Sequence, residues 1–179
     1  MQQILLLHGA IGAADQFSLL QEELADSFTV HSLNFSGHGS SPFVAASFSI
    51  ELFASEVIEF LDKQEIKSIN IVGYSMGGYI AMYLATHHPE RINKIITLAT
   101  KFRWDETIAL HETKMLNAGK IEEKLPDFAS ALQKRHAPND WKIILEKTEV
   151  LLIHLTASIF LLHMLSNSST PSEVLNMNY

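Results

Sequence analysis

The sequence predicts an α/β fold: a doubly wound, mostly parallel sheet with a helical lid. Three observations carry this expectation. Short aliphatic runs without polar alternation, such as Ile4 to Leu7 and Ile69 to Val72, suit parallel strands covered on both faces. Helical stretches separate these runs through the first hundred residues, and strand–helix alternation builds parallel sheets with right-handed crossovers. From Lys101 onward the alternation stops and helical stretches follow one another. The expected organisation is therefore a sheet-bearing core over residues 1–100, a helical lid over 101–165 and a disordered tail over 166–179.

The elements follow in order. Ile4 to Leu7 is the first strand and runs into His8-Gly9. Ala14 to Phe28 carries Phe17, Leu20 and Leu24 at helical spacing. Phe28 to Phe35 reads as the second strand, followed by the loop Ser36-Gly37-His38-Gly39-Ser40-Ser41-Pro42. Ser49 to Gln64 reads as a helix with Leu52, Phe53, Val57, Phe60 and Leu61 on one face. Ile69 to Val72 is the third strand, Tyr79 to His87 a helix stopped by Pro89, and Lys94 to Ala99 the fourth strand. Thr107 to Gly119, Ile121 to His136 and Asn139 to about Leu165 read as helices, with Gly119 as a C-cap and Pro138-Asn139-Asp140 as a helix start. Met115, Leu116, Leu125, Phe128, Leu132 and Trp141 are the expected apolar lining of the lid.

Gly73-Tyr74-Ser75-Met76-Gly77 fits G-x-S-x-G between the third strand and its helix. That context makes the pattern a nucleophile elbow, with the serine hydroxyl at the tip of a sharp turn. Chance supplies only ~0.03 such matches in a chain of this composition, before the flanks are required. The helix behind Ser75 points its free N–H groups and positive dipole end at the site. If the first and third strands are neighbours, the N–H groups of Ala10 and Met76 converge as an oxyanion hole.

Composition excludes several classes. The chain has 179 residues, 47% of them hydrophobic, with a net charge of −7 and no basic cluster, so no nucleic-acid partner is expected. It has no cysteine, which removes a thiol nucleophile and thiolate metal sites. No cofactor motif and no i, i+4 histidine pair for a metal appears. The N-terminus runs directly into a strand with no signal-peptide pattern, so a cytoplasmic location is expected. Val150 to Leu165 is mostly apolar but shorter than the ~20 residues of a stable membrane span. The fourth strand, if last, would be an open edge favouring self-association, unless Val150 to Leu165 covers it.

Together these residues resemble the α/β-hydrolase superfamily. The resemblance rests on Leu5-Leu6-Leu7-His8-Gly9, on Ser36-Gly37-His38-Gly39-Ser40-Ser41, on the Gly73 to Gly77 elbow, and on His88-Pro89-Glu90-Arg91-Ile92. It covers roughly residues 3–150, with Lys101 to about Leu155 similar to cap helices. It implies Ser75 as nucleophile and the Ala10 and Met76 N–H groups as oxyanion hole. Asn34 stands where many relatives carry an aspartate. The family orders its catalytic set as serine, acid, histidine, with the last two on strands absent here. His154 and His163 are late enough to serve as the base, and Asp105 follows the fourth strand, where some relatives carry the acid. Base and acid therefore stay unassigned, with His8 and His38 expected to shape their loops.

Three functions follow. The first is a serine hydrolase acting on a carboxylic ester or related small acyl compound through a Ser75 acyl-enzyme. The second is a truncated or frame-shifted, catalytically incomplete homologue, or a non-catalytic remnant that binds small molecules. The third keeps the elbow for acyl transfer, C–C cleavage or perhydrolysis, since a fold does not decide among these.

Overall fold

The computed structural model describes residues 1–155 and 174–177. Its strands are β1 (Gln2–Leu7), β2 (Phe28–Ser32), β3 (Ile69–Tyr74), β4 (Ile92–Leu98) and β5 (Val174–Met177). All neighbours are parallel, in the order β2-β1-β3-β4-β5. The chain lays β2 on one side of β1, then returns to lay β3 on the other. The strand order reverses there, and in open α/β sheets the crevice at that reversal is where ligands bind. Leu7 lies opposite Gly73, so His8-Gly9 and Tyr74-Ser75 leave the sheet side by side.

Leu5, Leu6 and Leu7 are all fully buried, as their continuous aliphatic run predicts for a strand covered on both faces. The helices of the sheet-bearing half are α1 (Ser18–Leu24), preceded by a 3₁₀ turn at Ala14–Phe17, α2 (Ile50–Lys63) and α3 (Met76–His87). Ser49 caps α2 by accepting the Leu52 N–H at 3.1 Å, and Ile50, Phe53, Ala54, Val57 and Leu61 form its buried face. α3 is buried nearly all round, which explains its even hydrophobicity and its place at the centre of the main core with Leu5, Leu7, Ile69 and Ile71.

Four helices follow: α4 (Glu106–Thr113), α5 (Ala118–Lys124), α6 (Pro126–His136) and α7 (Trp141–Leu155). Of these, α5, α6 and α7 share a small core made of Ile121, Ala129, Leu132, Trp141 and Leu145, with Ile11 packed against it. Among the described residues no helix is long and apolar enough to cross a membrane.

Several expectations are corrected. The helix after Ser75 begins at Met76 rather than Tyr79, because the poor helix formers Gly77 and Gly78 are held by packing. Gly119 is no C-cap; it lies inside α5, which Asn117 starts by accepting the Lys120 N–H at 2.9 Å. Pro126 divides the expected Ile121 to His136 helix into α5 and α6, since proline suits a helix start and breaks an interior. The fourth strand is not an open edge: Val174–Met177 pairs with it from Ile95 to Leu98. Those four residues fall within the expected disordered tail, and they form a strand; the rest of that tail lies outside the described residues, as does the stretch 156–165 where the sequence predicts that the last helix continues.

The packing at Gly77 sets the most severe local constraint. A Cβ on Gly77 would sit 2.2 Å from the Leu7 carbonyl oxygen, and one on Gly73 would sit 2.5 Å from the Gly77 carbonyl oxygen. Both neighbours are backbone and cannot rotate aside. Gly77→Ala is therefore expected to cost about 1–3 kcal/mol, as overpacking does. Urea unfolding checks this, as a lower midpoint at an unchanged slope.

Candidate functional site

Ser75 sits between β3 and α3 with φ 51° and ψ −113°. Positive φ in a residue with a Cβ is strained, at roughly 1–3 kcal/mol, and persists only where the surroundings over-determine it. Here they do. The Ser75 N–H donates to the Leu98 carbonyl at 2.9 Å, and the Ser75 carbonyl accepts the Gly78 N–H and the Thr100 hydroxyl, both at 3.0 Å. The end of β4 thus braces the turn from the side, while α3 fixes it from behind.

The loop after β1 comes up against this turn. A Cβ on Gly9 would lie 3.3 Å from Ser75 Cβ and 3.0 Å from the Tyr74 ring, so only glycine lets the loop approach this closely without displacing a neighbour. The peptide joining Gly9 to Ala10 is held by its oxygen. The Gly9 carbonyl accepts the Gly12 N–H at 3.0 Å and meets His8 Nδ1 at 2.8 Å. The peptide is trans, so the Ala10 N–H points away from those partners. Ala10, Ser75 and Met76 all line one cavity of about 460 Å³.

That cavity has an apolar wall from the second helical group: Met115, Leu116, Ile121, Leu125, Phe128 and Leu152. Leu132 and Trp141, expected in the lining, are instead buried in the core that α5, α6 and α7 share. Tyr79, Trp104, Lys101 and Glu112 complete the polar part of the wall. The Tyr79 hydroxyl donates to the Lys101 carbonyl, and Trp104 Nε1 donates to the Leu152 carbonyl at 3.0 Å. Burial pushes the Tyr79 phenol far above its ordinary value, so it acts as a donor. Glu112 pairs with Lys101. Sequence reasoning passed over all four, because single polar residues on unremarkable helices and loops carry no local signal of convergence.

The expected acid and base are not brought here. Asp105 caps α4 by accepting the Ile108 N–H at 3.0 Å and lies outside the cavity wall. His154 has its Nδ1 at 2.7 Å from the Val150 carbonyl and faces a separate cavity of about 280 Å³. His163 lies outside the described residues. Among the described residues no histidine lines the Ser75 cavity, and Glu112 is its one carboxylate. Among them, too, no group of three or more histidine, aspartate or glutamate side chains is gathered to hold a metal ion. Asn34 accepts the Ala14 N–H at 2.7 Å and ties the end of β2 to the 3₁₀ turn.

Behind the cavity three histidines cluster: His8, His38 and His136, all essentially buried. His38 lies with its ring centroid 5.0 Å from His8 and 5.9 Å from His136. For His8 and His136 the partners assign the proton. The Phe35 N–H donates to His8 Nε2 at 3.3 Å, so the His8 proton is on Nδ1 and goes to Gly9. The Gly39 N–H donates to His136 Nδ1 at 3.0 Å, so His136 Nε2–H donates to the Ile11 carbonyl at 3.2 Å. His38 Nε2 is 2.6 Å from the Ala10 carbonyl and its Nδ1 is 3.0 Å from the Ser36 carbonyl. His136 was not singled out from the sequence; its partners lie about a hundred residues away or more.

Burial first, then the neighbouring His38, pull the His136 pKa from 6.5 to about 4, against the Ile11 carbonyl and Asp15; Arg135 lowers it further. Burial and His38 lower His8 as well, and burial lowers His38 against its two carbonyls. The sign follows from linkage. Between the folded and unfolded pKa values the unfolded chain binds more protons, so stability falls as pH drops from 6.5 towards about 4. His136→Gln keeps a donor and an acceptor but does not titrate. The expected outcome is a shallower decline of the urea midpoint over that pH range in the variant.

Comparison with known proteins agrees with this geometry. The family model described as alpha/beta hydrolase fold matches residues 3–145. A pimeloyl-[acyl-carrier protein] methyl ester esterase of Chromobacterium violaceum is 30% identical over 145 residues, covering 76% of this chain and 55% of its own length. A dihydrolipoyllysine-residue acetyltransferase component of the acetoin cleaving system, from Cupriavidus necator, is 35% identical over 91 residues, covering 51% of this chain and 24% of its own. The chain thus spans between about a quarter and just over half of these relatives. Among solved structures, NosK from Streptomyces actuosus superposes with a TM-score of 0.74 at 17% identity, over 98% of this chain and 76% of that one. The enol-lactonase of Burkholderia xenovorans gives 0.72 at 17% identity, over 99% and 72%. With the strand order, the Ser75 turn and the family match in agreement, the chain belongs to the α/β-hydrolase fold family.

Proposed function

We propose that this chain carries the site of a serine hydrolase for carboxylic esters or related small acyl compounds. The observation that carries this reading is the strained Ser75 turn at the wall of a cavity it shares with Ala10 and Met76. Ser75 Oγ attacks the acyl carbon, the alcohol leaves, and water releases the acid from the acyl-enzyme. The Ala10 and Met76 N–H groups hold the oxyanion. Two features support them: the Gly9–Ala10 peptide is held from its oxygen side, and Met76 opens α3, where the first N–H groups have no partner within the helix. Helices α4–α7, between Glu106 and Leu155, act as the cap, and their apolar wall suits a small to medium acyl chain. The name of the Chromobacterium violaceum relative, a methyl ester esterase, points the same way.

A second reading is a pocket that binds acyl compounds without turning them over. The observation favouring it is that no histidine among the described residues lines the cavity, and an unassisted serine hydroxyl is a poor nucleophile. Labelling with a fluorophosphonate separates the two, because it requires an activated serine. The hydrolase reading expects one label per chain, absent from Ser75→Ala. It also expects hydrolysis of p-nitrophenyl esters that Ser75→Ala lacks. At ~0.8 kcal/mol for each buried methylene, kcat/KM for the butyrate is expected to exceed that for the acetate about tenfold. Folded protein that neither labels nor turns over overturns this reading in favour of the second.

A further inference from the structure

The α6–α7 turn reaches the back of the His8–Gly12 loop, although the two are more than a hundred residues apart in sequence. His136 ends α6, and its ring spans two core loops, taking the Gly39 N–H on Nδ1 and giving Nε2–H to the Ile11 carbonyl. Three residues on, Asn139 Nδ2 lies 3.0, 3.3 and 2.6 Å from the carbonyls of Gly37, Gly39 and Ser41, and its two N–H groups serve two of them at a time. His38, on that same 37–41 loop, reaches the Ala10 carbonyl at 2.6 Å. Thr148 Oγ1 of α7 stands 3.5 Å from the same oxygen. The Ile11 side chain packs against the core formed by Ile121, Leu132 and Trp141. The Ala10 and Ile11 carbonyls and the loop's one large apolar side chain are therefore engaged from the α5–α7 side or from the loop that side grips.

We propose that the α6–α7 turn, through His136, is a positioning element for the Ala10 N–H. Each residue of the loop has two soft backbone angles. His8 fixes the peptide that carries the Ala10 N–H. His38 fixes the peptide after it through the Ala10 oxygen, and His136 fixes the next through the Ile11 oxygen. With three successive peptide planes held, Ala10 loses the rotation that would swing its N–H out of the cavity. The state of the helical cap and the aim of an oxyanion donor are then one mechanical variable. A bound acyl group pressing on the α5–α7 wall stiffens the donor that its own reaction uses. His136 acts through Ile11 and touches no reacting atom. Its role is positioning, and it rests on the reading of Ala10 as an oxyanion donor.

Amide hydrogen exchange tests the coupling without relying on turnover. The full chain is compared with His136→Ala, His136→Gln and Leu132→Ala, the last weakening the apolar core that Ile11 packs on while leaving the His136 hydrogen bonds in place. The expected result is exchange across residues 9–13 about tenfold faster in His136→Ala than in Leu132→Ala, after normalising to α2, with His136→Gln restoring most of the protection. Fluorophosphonate labelling of Ser75 is expected to slow in the same order. Equal protection of residues 9–13 in His136→Ala and Leu132→Ala overturns the proposal. So does protection lost as fully in His136→Gln as in His136→Ala. If His136→Ala does not fold, His136→Leu takes its place: exchange at residues 9–13 faster than in both Leu132→Ala and His136→Gln supports the coupling, and exchange equal to that in Leu132→Ala overturns it. A wild-type chain that takes no label fails the hydrolase reading, and the exchange comparison still judges the coupling.

Discussion

The contact between Gly77 and the Leu7 carbonyl is the constraint on which the site depends. α3 can start directly behind Ser75 only if its first turn presses against the end of β1, and only a residue without a Cβ permits that. This one approach fixes β1 and β3 as neighbours, brings the His8–Gly12 loop beside Ser75, and aims the helix N-terminus at the cavity. The strain at Ser75 follows from it. The backbone has no relaxed path from β3 into a helix lodged that close to the sheet, so the residue at the corner takes φ 51°. Bonds from Leu98 and Thr100 keep it there.

The buried polar network behind the cavity does the complementary work. A loop packed under helices must satisfy its buried carbonyls within the protein. Histidine suits the task because a neutral imidazole both donates and accepts, so His136 can join a carbonyl of one loop to an N–H of another. Proton uptake by His8 or His136 would turn an accepting nitrogen into a donor facing another donor. Burial keeps both neutral at ordinary pH, and the network holds for that reason.

The cavity itself divides between the two halves of the molecule. The sheet side supplies backbone groups and the hydroxyl of Ser75, held on rigid elements. The helical side supplies apolar volume through Met115, Leu116, Leu125 and Phe128, and a paired charge through Lys101 and Glu112. A wall of this kind selects by shape and apolar area more than by hydrogen bonding, which gives modest discrimination between ligands differing by a methylene.

The sequence by itself determined the parallel strands, the serine turn and the loop beside it. Each depends on neighbours within a few residues: an aliphatic run covered on both faces, a pair of glycines around a serine, a His-Gly at a strand end. Helix boundaries among α4–α7 were less legible, because Asn117 and Pro126 compete with a continuous apolar pattern and their local chemistry wins. Tertiary structure alone decided three things. It paired Val174–Met177 with β4, a contact across some eighty residues that composition had marked as tail. It put Asp105 on a helix cap and His154 on another cavity, since a side chain's partner depends on where its element lands. It also brought His136 to Ile11 and Gly39. Hydrogen bonds between distant loops leave no periodicity and no spacing in the chain, so only the packed molecule reveals them.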